Sequence, residues 1–212
     1  MPKLKKPRVV ESAEPELGRP DWIVVALAVV GLGVAGYLTA LKLGGSEAFL
    51  CRGGSGCDLV QASRYSVLAG VPTAMWGAGI YLAIAVLAAM PRTARRWQAA
   101  FMLTSGAVAF SLYLTYISIF VIGATCPYCL ASGGIAVALL GVMLWRLPPA
   151  QGRQAAAYKT GRLAGLGITA GIFTVVFGAF IFAADFSMPA GYQSALAQHL
   201  AKSQSIFYGA FW

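Results

Sequence analysis

Long apolar runs divide this chain, and they limit its possible folds more than any other feature. Trp22–Leu43 carries a single charge, Lys42, near its far end. At roughly 1.5 Å per residue this run reaches about 33 Å, enough for a hydrocarbon core of roughly 30 Å. Thr73–Met90, Gln98–Ile122, Cys126–Leu147 and Leu163–Ala184 repeat the pattern. The whole chain is 58% hydrophobic and 11% charged, with mean hydropathy +0.71. Soluble domains carry about 25% charge and could not bury this much apolar surface. The expected fold is all-α and membrane-embedded: a four-helix transmembrane bundle over 22–147 with a fifth transmembrane helix at 163–184. Gly31, Gly33 and Gly36 predict close approach of a neighbouring helix to the first span.

The connectors set the orientation. Residues 1–21 are polar and interrupted by Pro2, Pro7, Pro15 and Pro20, which predicts a disordered tail. The apolar run that follows is too long for a signal core and lacks a cleavage site. Basic residues gather in that tail, in the turn 91–97 (Arg92, Arg95, Arg96) and in 146–162. The loop 44–72 has only Arg52 and Arg64, and 123–125 has none. The positive-inside rule therefore makes the N-terminus and the 148–162 loop cytoplasmic, and puts loop 44–72 and residues 185–212 outside. The same clustering explains the net charge of +9 through topology, without nucleic acid. The spans lack the charges that would mark an ion path, which argues against transport.

All four cysteines fall on the outer face, where disulfides persist. Cys126-Pro127-Tyr128-Cys129 stands at the mouth of the fourth span, and Cys51 and Cys57 lie in the 44–72 loop. Proline fits the first helical position, and the positive helix end favours a thiolate at Cys126. The glycines between Cys51 and Cys57 make that segment pliant, and the residues after Cys57 predict a short helix, with Leu59, Ala62 and Tyr65 on one side, lying as a lid on the membrane face. A thiolate is what attacks or leaves in disulfide exchange. Two dithiols on one face suggest an electron relay. No ligand set for a metal or haem is visible, and His199 reads as a solvated residue of a short helix at 192–204. A two-electron acceptor dissolved in the membrane, a quinone, is the economical partner. The competing reading is a structural membrane protein stapled by disulfides or by a four-sulfur zinc site.

The residues resemble the vitamin K epoxide reductase family in its bacterial form. The likeness covers roughly 22–147 and rests on six features. These are the wide loop pair Cys51 and Cys57, the Cys57-Asp58 step, Ser63, the Gly70-Val71-Pro72 turn, Trp76-Gly77, and Cys126-Pro127-Tyr128-Cys129 at the fourth helix. The resemblance implies a four-helix catalytic bundle. In it Cys51 would take electrons from a thioredoxin-like protein or fused domain by mixed disulfide, and Cys57 would pass them to Cys126. Cys129 would face a lipid quinone of the ubiquinone, menaquinone or phylloquinone class. Ser63 would cap the pocket and Trp76 would wall it, although a lipid-belt position suits Trp76 equally. Tyr113 and Tyr116 are further candidate pocket residues, with ordinary packing as the alternative. Relatives in animals carry an Asn in the 72–76 region and a Tyr four residues after the second active-site cysteine. Thr73 and Gly133 stand there, which favours plain quinone reduction over use of the epoxide.

The end of the chain, Ser205–Trp212, resembles the first core strand of a thioredoxin-like fold, or else an apolar tail lying on the membrane. It leads to the expectation of a truncated thioredoxin-like domain after an outer linker. The resemblance implies a multi-pass protein of a bacterial inner membrane or a thylakoid. There it would couple disulfide formation in exported proteins to quinone reduction.

Overall fold

The computed structural model describes residues 20–44, 56–147 and 160–187. Cys51, His199, the expected helix at 192–204, the strand-like end and most of the N-terminal tail lie outside the described residues.

In chain order the elements are α1 (Trp22–Gly44), α2 (Gly56–Ala62), a short 3₁₀ turn (Arg64–Ser66), β1 (Val67–Leu68), β2 (Val71–Pro72), α3 (Thr73–Ala89), α4 (Ala94–Tyr116), a π-helical turn (Ile117–Ile122), α5 (Pro127–Trp145) and α6 (Thr160–Ser187). α1 packs on α3 and α5, and α4 packs on the same two, closing a ring of four helices. α6 packs on α4 and touches β1, outside the ring. This is the expected all-α membrane bundle. Among the described residues, four helical stretches are long and apolar enough to cross a bilayer: Trp22–Gly44, Ala94–Ile122, Pro127–Trp145 and Gly161–Ala184. The remaining ring helix, α3, is apolar but has 17 residues, about 26 Å of rise. Large apolar side chains such as Leu112, Phe173 and Phe180 are exposed on the outside, as a lipid solvent requires and water would penalise.

One end of the ring is solid. Ile84, Thr104 and Leu139 have no exposed surface, and Val24, Phe101 and Met143 pack around them. The Thr104 hydroxyl donates to the Ala100 carbonyl at 2.8 Å and contacts the Met143 sulfur at 3.6 Å, tying α4 to α5. Asp21 closes this end. It is buried, with its carboxylate 3.2 Å from the Arg146 guanidinium and 3.7 Å from that of Arg92. Its N–H donates to the Ala88 carbonyl at 3.2 Å and its carbonyl accepts from Val25 N–H at 3.0 Å. Asp21 was expected in the disordered tail. Its charge instead joins the start of α1, the α3–α4 turn and the end of α5.

α4 starts at Ala94, earlier than the expected Gln98. Thr93 caps it, its hydroxyl accepting from Arg96 N–H at 3.3 Å. Arg95 and Arg96 therefore belong to the helix, where reading by hydrophobicity alone had excluded them. Of the three glycines in α1, only Gly31 meets a neighbour: a Cβ there would lie 2.5 Å from the Tyr81 ring, while Gly33 and Gly36 face open space. Ala69 and Gly70 link β1 to β2 with φ of +53° and +76°, the type I′ hairpin backbone. The ribbon pairs Val67 with Pro72 and Leu68 with Val71.

Candidate functional site

At the other end of the ring the helices part. A cavity of about 340 Å³ opens there, within the range of small-molecule sites. Its wall is mainly apolar, with contributions from α1, the α2 lid, the hairpin, α3, α4, α5 and α6. Cys126 and Cys129 both line it.

The local geometry of Cys126 follows from its neighbours. The π-helical turn widens the end of α4, and Gly123 reverses the chain at φ +72°. The Ser118 hydroxyl donates to the Ala124 carbonyl at 2.6 Å, and Ala124 N–H donates to the Ser118 carbonyl at 3.0 Å. That double bond pins the short segment entering α5. Cys126 is the N-cap of α5 and Pro127 follows at the first helical position. The Cys126 sulfur accepts from Cys129 N–H at 3.4 Å. The Cys129 thiol pulls the Cys126 thiol down to about 7 against burial, and the backbone N–H groups of Cys129 and Tyr128 add to the pull. A fall of this kind raises the thiolate fraction at neutral pH.

The lid brings in the second couple. The Cys57 sulfur lies 3.7 Å from the Cys126 sulfur. Cys57 is disulfide-bonded here, while Cys126 and Cys129 are free thiols. Leu41, Val60 and Tyr128 pack around the Cys57–Cys126 contact, and Tyr37 leans on Tyr128 with ring centroids 5.7 Å apart.

Gly56 makes the contact possible. A Cβ at that position would sit 2.5 Å from the Thr125 carbonyl oxygen and 2.9 Å from Thr125 N. Sequence reasoning valued the glycines here for pliancy, but this one serves close approach. The expected lid helix forms, and of the three residues expected on one side of it Tyr65, just beyond its end, lines the cavity. Cys57, Val60 and Gln61 point to the site, while Leu59 and Ala62 are exposed. The docking of Gly56 on Thr125 sets that rotation. Lys42, expected only to reach for the membrane surface, donates from Nζ to the Gln61 carbonyl. It thus satisfies the carboxyl end of α2, where a cation is favoured.

The remaining candidates divide. Trp76 lines the cavity and its indole N–H donates to the Leu68 carbonyl at 3.3 Å. Ser63 is not among the lining residues; its hydroxyl donates to the Val60 carbonyl at 2.6 Å and so shapes the end of the lid helix. Tyr113 and Tyr116 are also outside the lining set. Tyr113 packs on Phe110, and Tyr116 is exposed beside Phe120. Instead, Tyr81 faces the cavity from α3, its hydroxyl donating to the Ser132 carbonyl at 2.6 Å. Thr73 lines the cavity with its hydroxyl already donated to the Tyr65 carbonyl at 2.9 Å. Gly133 makes room for the Ser111 hydroxyl, which a Cβ there would meet at 2.5 Å.

This arrangement can pass a disulfide between two couples and expose one thiol to a ligand in an apolar chamber. Thiol-disulfide oxidoreductase LTO1 of Arabidopsis thaliana is 28% identical over 206 residues, covering 83% of this chain and 52% of that protein. The chain therefore spans about half the length of that relative. Residues 22–144, which hold α1 to α5 almost entirely, match the Vitamin K epoxide reductase family. The chain belongs to the vitamin K epoxide reductase family.

Proposed function

We propose that this protein is a membrane thiol oxidoreductase that oxidises a thioredoxin-like partner or domain and reduces a lipid quinone. The observation that carries the reading is the 3.7 Å approach of Cys57 to Cys126 beside a cavity that Cys129 lines. The likeness to the Arabidopsis thiol-disulfide oxidoreductase supports the class of chemistry.

The steps balance as two electrons and two protons. A reduced partner opens the Cys51–Cys57 disulfide through a mixed disulfide on Cys51, leaving with its own cysteines joined. The freed Cys57 thiolate attacks the Cys126 sulfur of an oxidised Cys126–Cys129 pair. A Cys57–Cys126 bond forms while Cys129 leaves as the thiol. Cys51 then closes on Cys57 and releases Cys126. The free Cys126 and Cys129 thiols beside an oxidised Cys57 correspond to the state reached at this point. Cys129 delivers the electron pair to a quinone in the cavity, Cys126 closes the Cys126–Cys129 disulfide, and the two thiol protons leave on the hydroquinone. The apolar wall suits a lipid quinone ring and excludes water.

We place the cysteines on the outer side of a bacterial plasma membrane or a thylakoid, with the N-terminus cytoplasmic. A zinc-stapled structural protein is the rival. Against it, a Cys57 sulfur held in a disulfide has no thiolate charge to offer a metal. The test is quinone reduction by the reconstituted protein with a dithiol donor. Cys51→Ala should block a thioredoxin-like donor yet spare dithiothreitol. Equal loss with both donors, or stoichiometric zinc in the purified protein, would overturn the reading.

A further inference from the structure

The family match ends at residue 144, before α6 begins at Thr160. Yet Thr174, Phe177 and Gly178 of α6 line the cavity. α6 is held tightly where it does so. A Cβ on Gly178 would lie 2.5 Å from the Phe110 ring, and one on Gly106 would lie 2.7 Å from the Thr174 hydroxyl. One turn further along, buried Phe182 meets Tyr65 edge-on with centroids 5.3 Å apart. Tyr65 belongs to the 3₁₀ turn after the lid and also lines the cavity. So α6 both walls the chamber and braces its cover.

We infer that α6 is a working part of the ligand site and that Phe177 is a specificity residue for the apolar chain of a lipid quinone. The inference rests on the quinone reading above. The reacting thiol sits on α5, inside the ring, while α6 lies outside the ring against α4. With the redox-active ring held near Cys129, the portion of the ligand that reaches α6 is its apolar substituent. Phe177 suits that contact. It is half-exposed, lines the cavity, and stacks on Phe173 with centroids 5.8 Å apart and planes 10° apart. Thr174 adds no competing polarity, because its hydroxyl donates to the Ala170 carbonyl of its own helix at 2.8 Å.

The test uses the full chain in bilayer discs with dithiothreitol as donor. It compares menadione, which has no isoprenoid chain, with menaquinone-4, which has one. Removing the ring in Phe177→Ala should raise KM for menaquinone-4 about tenfold and KM for menadione less than about twofold, since apolar pocket contacts discriminate by factors of this size. Phe177→Trp should restore the menaquinone-4 KM. Ile172→Ala, on the exposed outer face of the same helix and away from the cavity, should change neither. A KM that is unaltered by Phe177→Ala, or altered equally for both quinones, overturns the role of α6 while leaving the functional proposal standing. A wild-type protein that reduces neither quinone removes the functional proposal itself.

Discussion

Around Asp21 the ring helices meet through Ile84, Thr104 and Leu139, none with any exposed surface, whereas around Cys126 the same helices part to leave about 340 Å³. The two ends also treat polar groups differently. At the solid end one buried carboxylate gathers two arginines from distant parts of the chain. At the hollow end several hydroxyls are turned onto backbone carbonyls, as at Ser118, Thr73 and Tyr81. The solid end holds the ring in place. The hollow end can then lack packing without collapsing.

The contrast can be broken from either side. The largest effect belongs to the hollow end. Cys129→Ala should lower quinone reduction by at least about a thousandfold, as loss of a group acting in the chemical step does, without changing the unfolding midpoint. At the solid end Leu139→Ala should cost about 2–5 kcal/mol of stability through the cavity it leaves. Denaturant unfolding in micelles reads that cost, and turnover per folded molecule should hold. Gly56→Ala tests the docking of the lid. The added methyl must push α2 off Thr125, and turnover with a thioredoxin-like donor should fall roughly tenfold to a hundredfold, the scale of a misplacement of about 1 Å. Reduction driven by dithiothreitol should change far less. Asp21→Asn should destabilise the bundle by about 1–3 kcal/mol, as removing a charged hydrogen-bond partner does, and leave exchange rates alone.

The smallest effect sharpens the comparison through pH. The Cys126 thiol is held down at about 7, so its thiolate is present above that pH and is lost as pH falls through it. Alkylation of Cys126 in a Cys57→Ala background should therefore titrate near pH 7 and drop about tenfold per unit below it. A midpoint at the ordinary thiol value would show that the Cys129 contact does not favour the thiolate.

The spans were legible because a bilayer makes hydrophobicity a local property of each stretch. The start of α5 was legible for a similar reason: Cys126, Pro127 and the helix end act within a single turn. The start of α4 was hidden because Arg95 and Arg96 ended the apolar pattern before Thr93 ended the helix. Asp21 was hidden because its partners lie 71 and 125 residues away in sequence. The lid was legible as a helix, but the residues it presents to the site were not, since a few residues without strong periodicity take their facing from a docking contact. The cavity is the most distant juxtaposition of all. Aromatic residues such as Tyr113 and Tyr81 look alike in sequence, and only packing decides which one reaches the chamber.

Both sulfurs of the Cys57–Cys126 contact are about as hidden as the interior of the bundle, at 1% exposure each, while Cys129 stays open to the chamber. The junction is therefore electrically insulated. A small reductant in the aqueous phase finds no line of approach to these two sulfurs and has to enter at the exposed Cys129 instead. Under the proposed relay, current from a docked protein would cross this covered junction, while dithiothreitol would feed the couple at its open end, so the two donors report on different segments of the same path.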